Sequence, residues 1–566
     1  MTILKTFRTA ALAAVLLGGV SGAALAADLT IGVRAGPLSV DPHFTAAGTH
    51  AEAVKHIYDS LVKSGNNLEL EPGLATSWTA VDSTTWEFKL RPGVKFHDGS
   101  DFTAEDVKFS IERIPAVTGP NPTTIYVRRV RGIEIVDPLT IRIKTDGAAP
   151  NLPNDFIRLF IVSHTAAKDF SANADKASEG FNSGKAAIGT GPYKFVSWTP
   201  KEQLVLQKFG GYWGEKEPWD KVTRKEIPND AARVAQLKAG QVDLISRIPA
   251  SDVPTLEKDS KLTVVRQNSV YLFNIAFDFR EKPPQVSAKD GSPLPKNPFL
   301  DPKVREAFDL AIDRETITEI AMEGMGTVQS QLVTPNIFGW NPAVKSTKAD
   351  PAKAKKLLAE AGYPNGFKVT FSFTNDRLPG DKDVGTTIAQ MLTAVGIQVE
   401  ANSQPGAVFF PANTRGDYSM TMSGWGTLTG ESNYTLSSLA HSNDPNTKLG
   451  AFNLRGYVNK TMDKLIEDAA IEMDAKKREK FLMDANALVA TDRPLLAIAS
   501  TVSAWGMKKG ITIVPRSDED TLAMNIRPGT LPGRFSENFK FGREKDRWER
   551  LRWQSTAAAV SWQSST

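Results

Sequence analysis

The sequence predicts an α/β protein. Three observations carry that prediction. Short apolar or alternating stretches that suit strands interleave with longer stretches whose apolar residues recur at helical spacing. Hydrophobic residues make up 41% of the 566 positions and charged residues 23%, ordinary values for a globular chain of several domains. After the N-terminus, no stretch approaches the length of a membrane-crossing helix.

The elements follow in order. Lys5 and Arg8 precede an apolar run, Ala10 to Val20, and Ala24-Leu25-Ala26 is a small-residue cleavage signal. This reads as a secretory signal peptide cut after Ala26, leaving 566 − 26 = 540 residues for export. Leu29 to Val33 suits a first strand. Trp86 to Leu90 alternates like a half-buried strand, and Asp98-Gly99 is a turn dipeptide. Thr103 with Asp106 then imitates a capping box, and Val107, Ile111 and Ile114 follow at helical spacing. The stretch Leu90 to Ile114 also holds His97, Asp98, Ser100 and Glu105. With no third partner to complete a catalytic set, it reads as a scaffold corner.

Leu204 to Leu206 and Leu262 to Val265 suit strands. Ala231 to Ala239 and Val304 to Met322 suit helices, with Gly240 as a C-terminal stop for the former. Lys353 to Ala361 is a helix stopped by Gly362 and Pro364. Val369 to Phe373 is a strand, Thr386 to Val395 a helix stopped by Gly396, and Ile397 to Val399 a strand. Tyr457 to Val489 holds two amphipathic helices that split near Met473-Asp474, and Lys282 to Pro298 reads as a loop.

Several functions are argued against by composition. The formal net charge is +4, and no Lys/Arg block carries interleaved aromatics, so nucleic acid is not an expected partner. Cysteine is absent, which removes disulfides, thiolate catalysis and Cys-based metal centres. The six histidines leave little for metal binding, and His50 and His56 are spaced too widely for the two-histidine, one-face zinc pattern. Gly180 to Lys185 lacks one spacer of a phosphate loop and has Ala186 where Ser or Thr is needed. There is neither an HExxH motif nor a G-x-S-x-G elbow. No cofactor and no catalytic residue is expected.

A series of segments carries a resemblance. Leu90 to Ile114 resembles the LR.GVKFHDG..FTAEDV.FS.ER segment of the extracellular solute-binding proteins of the peptide/nickel ABC importer family. Leu38-Ser-Val-Asp-Pro42, Gly189-Thr-Gly-Pro-Tyr-Lys-Phe195, Tyr212-Trp-Gly214, Ala231 to Leu244, Asp301 to Ala307 with Ala311 to Arg314, Ala354 to Tyr363, Phe481 to Pro494 and Thr521 to Met524 follow in the family's order. The similarity runs over about residues 28 to 528, and so many motifs in one order are specific.

The resemblance implies a two-lobed periplasmic binding protein of cluster C type, with an extra small domain and hinge strands between the lobes. Lobe I would comprise 27–70, 186–265 and 496–528, the small domain 71–185, and lobe II 266–495. The hinge strands would lie near Val265 to Ile275 and Leu495 to Ser503. The protein would work in the periplasm as a monomer, closing on a peptide or peptide-like solute and delivering it to an inner-membrane ABC permease. It would not itself span the membrane.

The resemblance also points to site residues. Dipeptide binders of the family hold the ligand carboxylate with an arginine, and Arg377 in Thr374-Asn-Asp-Arg-Leu-Pro-Gly380 occupies that segment. They hold the amine with an aspartate soon after a Gly-Trp pair. Here the pair is Gly424-Trp425, followed by Gly426, and Leu428 stands where the aspartate belongs. Glu431, three residues later, is the acidic residue placed to supply the charge by another path, and Trp425 and Tyr434 suit aromatic walls.

Residues 529–566 follow the end of the resemblance. They are expected to be a disordered extension, with a docking segment as the other reading. Two function classes remain open: the solute receptor, with oligosaccharide or chelated metal as other ligands, and a secreted hydrolase, for which no nucleophile–base pair is visible.

Overall fold

The structure is a computed structural model and describes residues 27–120, 123–170 and 179–529. The expected signal peptide and the tail beyond Gly529 lie outside the described residues.

One curled sheet of 12 strands organises a two-lobed α/β fold. At its first end, Asp28–Val33 pairs in parallel with Lys221–Glu226 and with Leu244–Ile245. Gln203–Lys208 and Tyr193–Thr199 extend that edge antiparallel. At the other end, Lys368–Thr374 pairs in parallel with Gln398–Gln404 and with Met420–Gly426. Two long strands join the ends. Leu262–Phe277 has 16 residues, Leu495–Lys508 has 14, and they pair antiparallel from Leu262↔Lys508 to Ala276↔Leu495. Their register shifts between Asn268 and Asn274. Such a bulge bends a strand and re-aims its side chains, and it falls where the chain crosses between lobes. Tyr271 lies inside it.

Each lobe buries its own apolar cluster. The first gathers Ile31, Tyr58, Val222 and Trp505, and the second Phe273, Phe308, Phe371 and Ile388. Burying each such side chain contributes about 1.5–3 kcal/mol. A four-stranded antiparallel sheet, Ala75–Asp82, Thr85–Leu90, Thr140–Thr145 and Val130–Asp137 in spatial order, has a separate core around Phe88, Phe96, Val107 and Ile141. Phe160, Val162, Ala167 and Phe181 pack instead into the first lobe's core, although they lie inside the 71–185 stretch.

The corner at Leu90 to Ile114 is scaffold. Helix Ala104–Arg113 begins after Thr103, whose N–H donates to Asp106 Oδ2 at 3.0 Å. Asp106 also accepts from the His164 N–H at 2.9 Å, so it ties the helix start to a distant turn. His97 is buried, lies 2.9 Å from the Gly191 carbonyl through Nε2, and accepts from the Gly189 N–H through Nδ1. Burial pushes its pKa down to about 4, so it packs as a neutral ring. At the far end of the helix, Arg113 grips Asp41 with both Nη atoms. The Asp of Leu38-Ser-Val-Asp-Pro42 and the Arg of the opening helix are thus two halves of one buried pair.

Several helices start on a side-chain cap. Asn229 caps Asp230–Lys238, Asp350 caps Pro351–Glu360, and Asp474 caps Ala475–Asp492. Val304 to Met322 is not one helix. Pro302–Ala311 ends at Ile312, Asp313 accepts from the N–H groups of Glu315 and Thr316 to start again, and Ile317–Ala321 forms a π turn. A side chain that caps a new start competes with continuing the old helix.

Candidate functional site

Strand Met420–Gly426 lies beside the hinge strand, with Tyr271 opposite Gly426 and Leu272 opposite Trp425. The two glycines are explained by what lies on them. A Cβ at Gly424 would sit 2.2 Å from Leu378, and one at Gly426 would sit 2.5 Å from the Tyr271 ring. Both are closer than real carbons approach, so the glycines admit the Arg377 loop and the hinge tyrosine onto the strand. Gly426→Ala is therefore expected to push the Tyr271 ring off the strand. Fluorescence of that tyrosine, or a crystal structure of the variant, checks this, and an unmoved ring would contradict it.

Trp425 stacks on Tyr434 with ring centroids 5.4 Å apart, meets Phe452 edge-on at 5.2 Å, and donates from Nε1 to Thr435 Oγ1 at 3.0 Å. It also leans on the Leu332–Leu436–Leu482 cluster, so part of it is core. Tyr434 lies in helix Ser432–Leu439 and is half-buried. Burial raises its pKa to about 12, so the phenol is neutral.

Arg377 sits on the exposed loop after strand Lys368–Thr374. Buried Asp381 shapes that loop by accepting from the N–H groups of Arg377 and Leu378 and from Thr374 Oγ1. Its guanidinium lies over the Phe410 ring, 5.1 Å from the centroid, and among the described residues it has no salt bridge. Arg34, from the first lobe, donates to the Asp376 carbonyl at 3.5 Å, so this loop faces the opposite lobe. A cavity of about 390 Å³ lies between Arg34, Arg247, Met322 and Asp376.

Glu431 is elsewhere. It is 2% exposed and lies 3.4 Å from Arg478 Nε. With its amide nitrogen turned inward, Asn151 donates to both Glu431 oxygens, at 2.9 and 3.2 Å. Burial lifts its pKa to about 7, against the pull of Arg478. Asp155 is raised to about 7 as well, by burial first and then, net of the opposing pull of Arg128, by the Glu431 charge. Both carboxyls line a cavity of about 530 Å³ between the segment 125–155 and the second lobe. Leu428 packs with Leu68, Val270, Val333 and Ile337, so the position of the family's aspartate is apolar.

The structure thus brings Gly424, Trp425, Gly426 and Tyr434 together, joins the Arg377 loop to them through Leu378, and holds Glu431 in a buried cluster with Asn151 and Arg478, at a cavity that Tyr434 also lines. Sequence reasoning missed the charged pairs of the first lobe. Arg247 pairs with Glu519 at 3.3 Å, and both residues have left-handed backbone, φ 54° and 65°. Non-glycine residues held so are strained, and such strain concentrates at functional sites. Arg516 holds Asp518 through two bonds, at 2.9 and 2.7 Å, and Lys55 holds Asp520 at 2.5 Å. Among the described residues no group of three or more His, Cys, Asp or Glu is arranged to hold a metal ion. No described helix is long and apolar enough to cross a membrane.

Comparison with known proteins places the chain. The model of bacterial extracellular solute-binding proteins, family 5 Middle, matches residues 69–447. Glutathione-binding protein GsiB of Shigella flexneri is 29% identical over 502 residues, which covers 87% of this chain and 93% of that protein. The ABC transporter-associated periplasmic binding protein DppA from Helicobacter pylori, solved in complex with the peptide STSA, has a TM-score of 0.70 and 26% identity, and covers 89% of this chain and 98% of its own. HbpA2 from Haemophilus parasuis shares the fold with a TM-score of 0.74 at 22% identity, over 89% of this chain and all of its own. The two lobes, the paired hinge strands and the motifs that lock the corner at Leu90 to Ile114 are therefore those of a known group: this chain belongs to the bacterial extracellular solute-binding proteins of family 5.

Proposed function

We propose that this protein is the periplasmic receptor of an ABC importer. It captures a peptide or peptide-like solute between its lobes and delivers it to the inner-membrane permease. It acts as a monomer, exported by a cleaved signal peptide, and carries out no reaction. The observation that carries the reading is the pair of strands Leu262–Phe277 and Leu495–Lys508, which run through both lobes and are irregular where they cross. Such strands let lobes close on a ligand as hinged units. The relatives support the solute class: one is named for glutathione and another holds the peptide STSA.

In this reading lobe I is 27–70, 186–265 and 496–528, lobe II is 266–495, and 71–185 forms the small domain. Gly424, Trp425, Gly426 and Tyr434 form the wall of the site, and Arg377 takes the solute's terminal carboxylate. Arg377 suits that role because its planar fork is exposed and carries no salt bridge among the described residues, while its ring contact with Phe410 orients it. Glu431 remains the acidic group nearest the wall in sequence. It meets a ligand amine only if Arg478 gives way.

The test is solution scattering and thermal melting with glutathione and with short peptides. A saturating solute compacts the protein and raises its melting temperature, with about 2.7 kcal/mol of stabilisation at a hundredfold excess over Kd. Binding that leaves the scattering profile unchanged would argue against closure. In the same assay Arg377→Ala is expected to weaken a peptide that binds by roughly thirtyfold or more, the effect of losing one partner of a desolvated charge pair, about 2–5 kcal/mol. Unchanged affinity would remove Arg377 from the site.

A further inference from the structure

Among the described residues, Arg158 is a buried guanidinium with no hydrogen-bond or salt-bridge partner. It is 6% exposed, its Nη1 is fully buried without a hydrogen bond, and among the described residues it makes no hydrogen bond or salt bridge at all. Its place is fixed from behind. Leu61 N–H donates to the Leu159 carbonyl, Ile161 N–H donates to the Asp59 carbonyl, and Ser60 bridges Phe160. One turn earlier, Asn154 donates to the Thr429 carbonyl at 2.8 Å, which ties the segment to the loop beyond Trp425. Arg158 therefore stands where the first lobe, the second lobe and the segment between them meet.

Its surroundings repeat the pattern. Asp518 and Asp520 supply the negative charge that acts on it, and the neutral phenols of Tyr126, Tyr271 and Tyr434 share its electrostatic surroundings. The two aspartates are already held, Asp518 by Arg516 and Asp520 by Lys55. The three tyrosines come from three parts of the chain, and among the described residues none of their hydroxyls has a hydrogen-bond partner. A buried, unpaired charge ringed by idle donors is costly unless something completes it.

We propose that Arg158 binds an acidic group of the solute, a carboxylate additional to the terminal one assigned to Arg377, with Tyr126, Tyr271 and Tyr434 donating to it. The proposal rests on the receptor reading above and narrows its solute class to acidic peptide-like compounds. A guanidinium fork and phenol donors match a planar carboxylate, and the contact forms where closure brings the lobes together.

Two measurements on the full-length protein test it. The first needs no ligand: melting of wild type and Arg158→Met after unfolding and refolding to strip any solute. The variant is expected to melt no lower than wild type, because it loses no bond. A drop of several degrees would overturn the proposal by showing a structural role. The second compares Ala-Glu-Ala with Ala-Gln-Ala by calorimetry. Wild type is expected to prefer the acidic peptide at least tenfold, and Arg158→Met to bind the two alike. The same preference in both proteins would overturn the proposal. If wild type binds neither tripeptide nor glutathione, the peptide reading itself fails, and the melting comparison alone then decides whether Arg158 is unpaired.

Discussion

Arg113→Ala is expected to cost about 3–5 kcal/mol of stability, because it strands a buried carboxylate. Asp41 is 1% exposed and Arg113 is 4% exposed. Burial pushes the Asp41 carboxyl up, but the Arg113 charge and hydrogen bonds outweigh it, and the net shift is downward. A carboxyl held below its unfolded value stabilises the fold above that value, and the contribution is lost as pH falls through the folded one. The wild-type advantage should therefore be full at pH 7 and shrink in strong acid. Chemical denaturation of both proteins at pH 7 and pH 3 checks it. A cost below about 1 kcal/mol at pH 7 would mean that water reaches Asp41. Asp41→Asn combined with Arg113→Ala should recover part of the loss, since no buried charge then remains.

Glu431 has the opposite sign. Its pKa rises from 4.5 to about 7, so the folded protein binds a proton that the unfolded chain has released. Stability contributed by the neutral form is complete below pH 4.5 and falls as pH rises to about 7. At 1.36 kcal/mol per pKa unit, the loss approaches about 3 kcal/mol at pH 8. Glu431→Gln should remove this slope, gaining stability over wild type at pH 8 and little at pH 4. Asp155, across the same cavity and beside Arg128, keeps its own share and should titrate lower once the Glu431 charge is gone. Parallel pH profiles for variant and wild type would show that Glu431 is already ionised and satisfied by Arg478 and Asn151.

Much of the fold was legible because its signals are local. Thr103 and Asp106 form the capping box that their spacing suggests, and Gly240 and Gly396, read as helix stops, take the left-handed conformations that follow helix ends. From the residues alone the hinge strand was seen only as Leu262 to Val265, because Asn268-Ser269 and the register shift interrupt its alternation; its continuation to Ile275 came from the family resemblance. The break at Asp313 was missed because apolar residues keep helical spacing on both sides of it. The Asp41–Arg113 pair shows the limit from the other direction. Both halves sit in motifs visible in the sequence, but only the fold brings them together across 72 positions.

The candidate site was legible to a smaller degree. Gly424, Trp425 and Gly426 carry a short motif, and the reason for the glycines, the Leu378 and Tyr271 side chains lying on them, is tertiary. Glu431 looked available because it lies in a polar loop; Asn151 and Arg478, distant in sequence, bury it. Arg158 has no sequence signal. Its distinguishing property is the lack of a partner, which no spacing or composition can express.

A receptor carries its solute and returns it unchanged. Native mass spectrometry of protein purified from its own periplasm tests this most directly. One small molecule per chain is expected, bound non-covalently, acidic, released on denaturation with its mass unaltered, and lost from Arg158→Met purified the same way. A preparation that never carries a solute, and that converts an added peptide mixture into shorter products, would contradict it.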